Sequence, residues 1–184
     1  MYGSTQPDPR LNPVSGYYYG PANNNTTAGT TQSLANDRIV AVPFLVGSAG
    51  FTADRIGIEV TGAAASSSIK ILIYNSNSAG TLPDTLLLNA GTVDSSTTGT
   101  KELTISQALP ANTLYWLAVV SNGAPTIRAR NSSTLGVGFS ALSGLGSTPG
   151  SYYRDVAGSY TTPPTFGTPT GVLAAQIGVL VRAL

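Results

Sequence analysis

From Arg38 onward, apolar side chains recur at every second position. In "RIVAVPFLV" (38–46), Val40, Val42, Phe44 and Val46 share one face. In "RIGIEV" (55–60), Ile56, Ile58 and Val60 turn one way, Arg55 and Glu59 the other. "IKILIY" (69–74) repeats the pattern with Ile69, Ile71 and Ile73, and "KELTIS" (101–106) with Leu103 and Ile105. "TIRAR" (126–130) alternates again, and "IGVLVRAL" (177–184) sets Ile177, Val179 and Val181 on one face. Such alternation marks a half-buried strand. "DTLLLNAGTV" (84–93) reads as a mostly apolar strand ending near a glycine turn. "TLYWLAVV" (113–120) is apolar on both faces, which predicts a central strand. Pro43 lies on the opposite face of the first run, which predicts an edge or a bulge there.

The clusters "SAG", "GAAASSS", "NSNSAGTLPD", "DSSTTGT", "ALPAN" and "SNGAP" separate these runs, and no helical period is present. The expected fold is therefore all-β, an antiparallel β-sandwich or jelly roll over residues 38–184. Within it, "SYYRDV" (151–156) reads as a strand and "TTPPTFGTPT" as loop. Residues 1–37 carry Pro7, Pro9, Pro13 and Pro21 and the aperiodic "NNNTTAGTT", so they read as an extended N-terminal arm.

Composition narrows the function. The chain has 184 residues, which suits one domain plus an extension. Only 9% of residues are charged, so Ser, Thr, Asn, Gly and Ala must build the surface. A net charge of +1 offers no basic stripe for nucleic acid and no cationic block for an anionic membrane. The longest apolar stretch, 171–184, is interrupted by Gln176 and Arg182 and is too short to cross a bilayer. No export signal is expected from "MYGSTQPDPRLNP". The absence of Cys removes disulfides and thiolate chemistry; the absence of His removes the commonest general base and transition-metal ligand. A low-charge, exposed-looking surface without a leader suits a bacterial effector or a virus particle protein made in the cytosol.

The candidate chemistry is sparse. The acids mostly neighbour a base, as in Asp37–Arg38, Asp54–Arg55, Lys101–Glu102 and Arg154–Asp155, and read as solvated charges at turns and strand ends. No G-x-S-x-G is present, so no enzyme activity and no cofactor is expected. Asn75, Asn77, Asp84 and Asp94 could offer oxygen ligands to calcium from adjoining loops, but Asn and Asp in turns ordinarily serve the turn, and no metal is expected. Alternation puts Tyr115 and Trp116 on opposite faces, so at most one should be core and the other could stack on a sugar. Tyr152, Tyr153 and Tyr160, in a loop-rich region, are the preferred ligand contacts.

"SGYYYGP" places three tyrosines inside the arm. Burying one tyrosine contributes roughly 4–6 kcal/mol, and three roughly 12–18 kcal/mol. Ordering a backbone costs ~1–2 kcal/mol per residue, so the tyrosines cannot alone fix a 37-residue arm. Tyr17, Tyr18, Tyr19 and Pro21 are thus expected to anchor the chain on a neighbouring subunit or larger assembly. The alternative is that they pack on the chain's own sandwich.

"TADRIGIEVTGAAASSSIKILIYNSNSAGTLPDTLLLNAGTV", followed by "KELTISQALPANTLYWLAVVSNGAPTIRA", resembles a β-sandwich module of bacteriophage tail fibres, minor tail proteins and other virion surface proteins. The likeness covers roughly residues 38–130, with looser echoes in "PPTFGTPTG…VRAL" and "YYYGP". It implies an exposed structural or adhesive module, often trimeric, with no catalytic residues. The partners it implies are other virion proteins and a host surface glycan. A capsid decoration (cement) protein and a free carbohydrate-binding module are the alternatives.

Overall fold

The computed structural model describes residues 13–21, 29–131 and 151–184. The described residues form strands and loops only, in two antiparallel sheets packed face to face. The strands are β1 (Tyr18–Tyr19), β2 (Thr30–Ser33), β3 (Arg38–Leu45), β4 (Phe51–Gly62), β5 (Ser68–Ser76), β6 (Pro83–Asp94) and β7 (Gly99–Leu109). They continue with β8 (Leu114–Ser121), β9 (Thr126–Asn131), β10 (Ser151–Asp155), β11 (Gly171–Leu173), β12 (Ala175–Ile177) and β13 (Leu180–Ala183). One sheet has the order β11-β10-β3-β8-β5-β6. The other runs β1-β13-β4-β9-β12, with β7 on β4 and β2 on β9.

The alternating runs supply the inner faces, so the all-β sandwich expected from the pattern is the fold. Val40, Val42, Phe44, Ile56, Ile58, Val60, Ile69, Ile71, Ile73, Val179 and Val181 all meet in one core between the sheets. Pro43 sits in β3, where β10 covers the outer side only from Arg38 to Ala41, so beyond Ala41 the strand is locally an edge. Gly91 makes a bulge instead of a turn. It has φ 120° beside a register shift between Ile71 and Leu72, a conformation that favours glycine, and β6 continues past it to Asp94.

Two findings change the sequence reading. First, the sandwich extends into the segment assigned to the arm. β1 pairs with β13 (Tyr18↔Arg182, Tyr19↔Val181) and β2 pairs with β9. Second, the β3–β8–β5 sheet is covered on both faces. Residues 156–170 cross its outer side as a strap and build a second core from Ile39, Ala41, Leu72, Tyr74, Trp116, Ala118, Val120 and Phe166. Phe166, read as loop, is fully buried and meets Tyr74 edge to face at 5.7 Å. Polar contacts hold the strap down. Tyr74 donates to the Pro164 carbonyl (3.0 Å), Lys70 to the Thr161 carbonyl (3.1 Å), the Phe166 N–H to the Asp84 carbonyl (2.8 Å), and Arg154 to the Thr165 carbonyl (2.6 Å). Tyr115 and Trp116 are consequently both core, one on each side of β8, because the strap supplies the covering layer that alternation alone does not reveal.

Candidate functional site

The strap also decides the fate of the expected ligand tyrosines. Tyr152, on β10, packs on the second core with its ring 5.6 Å from that of Trp116. That contact covers the indole face that could have stacked on a sugar. Tyr153, its neighbour on the opposite face, packs on the inner core beneath the Arg38 guanidinium, 4.2 Å from the ring centroid. Tyr160 lies on the strap with Lys70 5.1 Å from its ring, and its N–H donates to Asp37 (2.9 Å). All three are half-buried and occupied by the chain's own side chains, and they do not converge on one platform.

The calcium candidates do not converge either. Asn75 and Asn77 stand at one end of the β5–β6 hairpin, near Ser76↔Pro83, and Asp94 at the other, opposite Ser68. Asn77 accepts from the N–H groups of Thr81 and Leu82, and Asp94 from Ser96 and Thr97. Each serves its own turn. Among the described residues no group of three His, Cys, Asp or Glu comes together.

The charges fork across strands and not onto their chain neighbours; even at the bulge between Ala53 and Arg55, where Asp54 and Arg55 share a face, Asp54 takes Arg182 as its partner. Arg38 forks onto Asp155 (2.7 and 3.0 Å), Arg128 onto Glu59 (2.9 and 2.7 Å) and Arg182 onto Asp54 (2.9 and 2.5 Å). Two of these three forks stand on the outer face of the β4 sheet. Arg55, bonded to Thr104, and Glu102, which accepts from the Tyr18 hydroxyl at 2.5 Å, share that face. The forks set the acidities. The Arg182 guanidinium holds the Asp54 carboxyl below its ordinary range, and Arg128 does the same to Glu59. Acceptance by Glu102, then burial, pushes the Tyr18 hydroxyl up.

A cleft opens on this face where β4 changes neighbours. Its residue Gly57 pairs with Leu180 of β13, but Val60 pairs with Ile127 of β9. Between these points the strands part, leaving a cavity of about 260 Å³. Tyr18, Thr100 and Glu102 line one part, and Glu59, Arg128 and Arg130 another. Gly57 and Gly178 also line it, and neither tolerates a side chain. A Cβ at Gly57 would come 2.9 Å from the Lys101 carbonyl, and one at Gly178 2.9 Å from that of Arg128. Nothing local in the sequence marks this cleft; only the exposed-face positions of Glu59, Glu102 and Arg128 hint at it.

The three arm tyrosines separate into different roles. Tyr19 faces inward, packs on the core with its ring 5.7 Å from Phe51, and its hydroxyl accepts from the Val14 N–H (2.7 Å). Tyr18 borders the cleft with the Arg182 guanidinium 6.0 Å from its ring, and is 39% exposed. Tyr17 is 64% exposed. Pro21 lies at a bend two residues beyond β1.

No family model matches the chain, and no curated protein is similar to it. Among solved structures, the chain is similar to the crystal structure of the cysteine protease and lectin-like domains of Cwp84, a surface layer associated protein of Clostridium difficile. The identity is 11% and the TM-score 0.49, over 87% of this chain and 37% of that one, so the chain spans well under half of that structure.

Proposed function

We propose that the chain is a structural module displayed on the surface of a bacteriophage particle, fibre- or tail-associated and joined to it through its N-terminal segment. The observation that carries the reading is the edge at β1. Tyr18, on the two-residue strand β1, and Tyr17 just ahead of it present exposed rings, beside backbone that no further strand covers among the described residues. A large aromatic with an open ladder edge is what a neighbouring subunit can extend and clamp. The likeness of residues 38–130 to virion surface modules points the same way. The role is attachment and display, with no turnover, in a homo-oligomer expected to be a trimer.

The same edge favours a second reading, a decoration protein whose arm laces neighbouring capsid subunits. Gold-labelled antibody against the chain, imaged on intact particles, separates the two. Label on the tail or fibre tips supports the first reading, and label spread over the head supports decoration. No label on any particle would reject both and leave a free binding module. Tyr17→Ala should reduce incorporation into particles while leaving the isolated protein folded.

A further inference from the structure

We propose that the cleft where β4 parts from β9 and β13 binds a neutral, hydroxyl-rich ligand, a carbohydrate residue by its chemistry. The proposal deepens the display reading and depends on it only for the source of the ligand, a surface polysaccharide.

Charge is unevenly distributed over the molecule. Charged residues are scarce, yet Asp54, Arg55, Glu59, Glu102, Arg128 and Arg182 all stand on this one face of one sheet. A surface that needed charge only for solubility would spread it. Within the cleft the signs balance. Glu59 and Glu102 bring carboxylates to its lining; Arg128 and Arg130 bring guanidinium groups. For an ion of either sign, repulsion from one half of this set offsets attraction to the other, so the cleft gives a charged ligand no net electrostatic advantage. A neutral ligand with both donors and acceptors can use both halves of the set.

The hydrogen-bonding geometry then selects among neutral ligands. The Glu59–Arg128 fork is only partly exposed, with each side chain about 43% accessible, and it holds acceptors and donors in one plane. Adjacent hydroxyls of a sugar donate and accept at once, so they can bridge such a fork without breaking it. Glu102, already accepting from Tyr18, has further acceptor capacity, and Thr100 adds a hydroxyl opposite Glu59. The Tyr18 ring supplies an apolar wall for the C–H face of a pyranose. A volume of about 260 Å³ lies below the usual range for drug-sized ligands, and suits one ring of a longer chain better than a large compact molecule.

The test uses the isolated protein and does not depend on where it sits in a particle. Saturation-transfer NMR is run with glucose, galactose, mannose, rhamnose and N-acetylglucosamine, with dextran and mannan as polymers, and with glycerol phosphate and lysine as charged probes. Transfer to at least one neutral sugar or polymer is expected. Binding should weaken about tenfold or more in Glu102→Gln and in Arg128→Ala, because each removes a charge-assisted hydrogen bond. It should persist in Tyr17→Ala, which lies outside the cleft. Thr100→Tyr, which plugs the cleft from an exposed position, gives the same loss should Arg128→Ala fail to fold. Transfer to a polymer alone supports a site that grips a chain, and transfer to free sugars a site that grips a single ring. Absence of transfer from every neutral probe would overturn the proposal. So would binding unchanged by the cleft variants, or transfer to the charged probes alone. None of these results bears on particle labelling, so the two proposals fail separately.

Discussion

Replacing Phe166 with alanine tests the strap that closes the outer face of the β3–β8–β5 sheet. The ring is fully buried against Tyr74, and the rest of its cluster, including Leu72 and Trp116, belongs to sheet strands held by their own ladders, which limits collapse into its place. A Phe→Ala change at such a site costs about 3–5 kcal/mol, of which the edge-to-face contact with Tyr74 accounts for about 0.5–1.5 kcal/mol. For a chain of this size each kcal/mol lowers the melting temperature by about 2–4 °C, so a fall of about 6–20 °C is expected. The backbone bond from the Phe166 N–H to Asp84 survives the substitution, so the strap should loosen and not detach. Urea titration followed by circular dichroism gives the free energy. Fluorescence gives the location, because the chain has a single tryptophan, Trp116, buried in this second core at 2% exposure. Its emission should shift to the red in the folded variant. A loss below about 1 kcal/mol with unchanged emission would refute the packing described for residues 156–170.

The tyrosine triplet should divide by role: Tyr19→Ala lowers the unfolding free energy by about 1–3 kcal/mol in urea titration, whereas Tyr17→Ala stays within about 0.5 kcal/mol. Stability should be flat across neutral pH, since the chain has no His or Cys to titrate there. On the acid side, Asp54, Glu59 and Asp94 have folded acidities held below their ordinary range by hydrogen-bonding partners. Their contribution is complete above the unfolded value of about 4 and is lost as pH falls through the folded values; Asp54→Asn should flatten that slope in a denaturant series against pH. On the alkaline side, burial pushes the Tyr74 hydroxyl far above its ordinary value. Its contribution is complete below about pH 10 and is lost progressively above that, and Tyr74→Phe should reduce this alkaline loss in the same measurement.

The core strands were legible because burial on one side of a pleated strand writes itself as period two. Ile56, Ile58 and Val60 are an example, and their inward placement follows directly. β4 nevertheless starts at Phe51, ahead of the alternating stretch, because the register slips between Ala53 and Arg55 and breaks the period. β1 and β2 were not legible. At two and four residues they are too short to alternate, and their hydrogen bonds come from partners far along the chain. Phe166 was hidden by its surroundings, since prolines and threonines on either side signal loop, and a loop can still bury one large side chain. The cleft was least legible. It arises where one strand exchanges neighbours, and that is a property of topology, not of any local pattern.

The pairing of β1 with β13 has a mechanical consequence. The strands are antiparallel, and the Gly16 N–H donates to the Ala183 carbonyl at the end where the chain enters β1. A pull on the chain ahead of Gly16 directed away from the sheet would therefore load the hydrogen bonds one after another, as a zipper is opened, and not all together in shear. Under such a load β1, with two paired residues, would open ahead of β2, which is held separately along β9 by four. For a load applied that way, β1 is the small clasp that stands between the pull and the paired strands of the core.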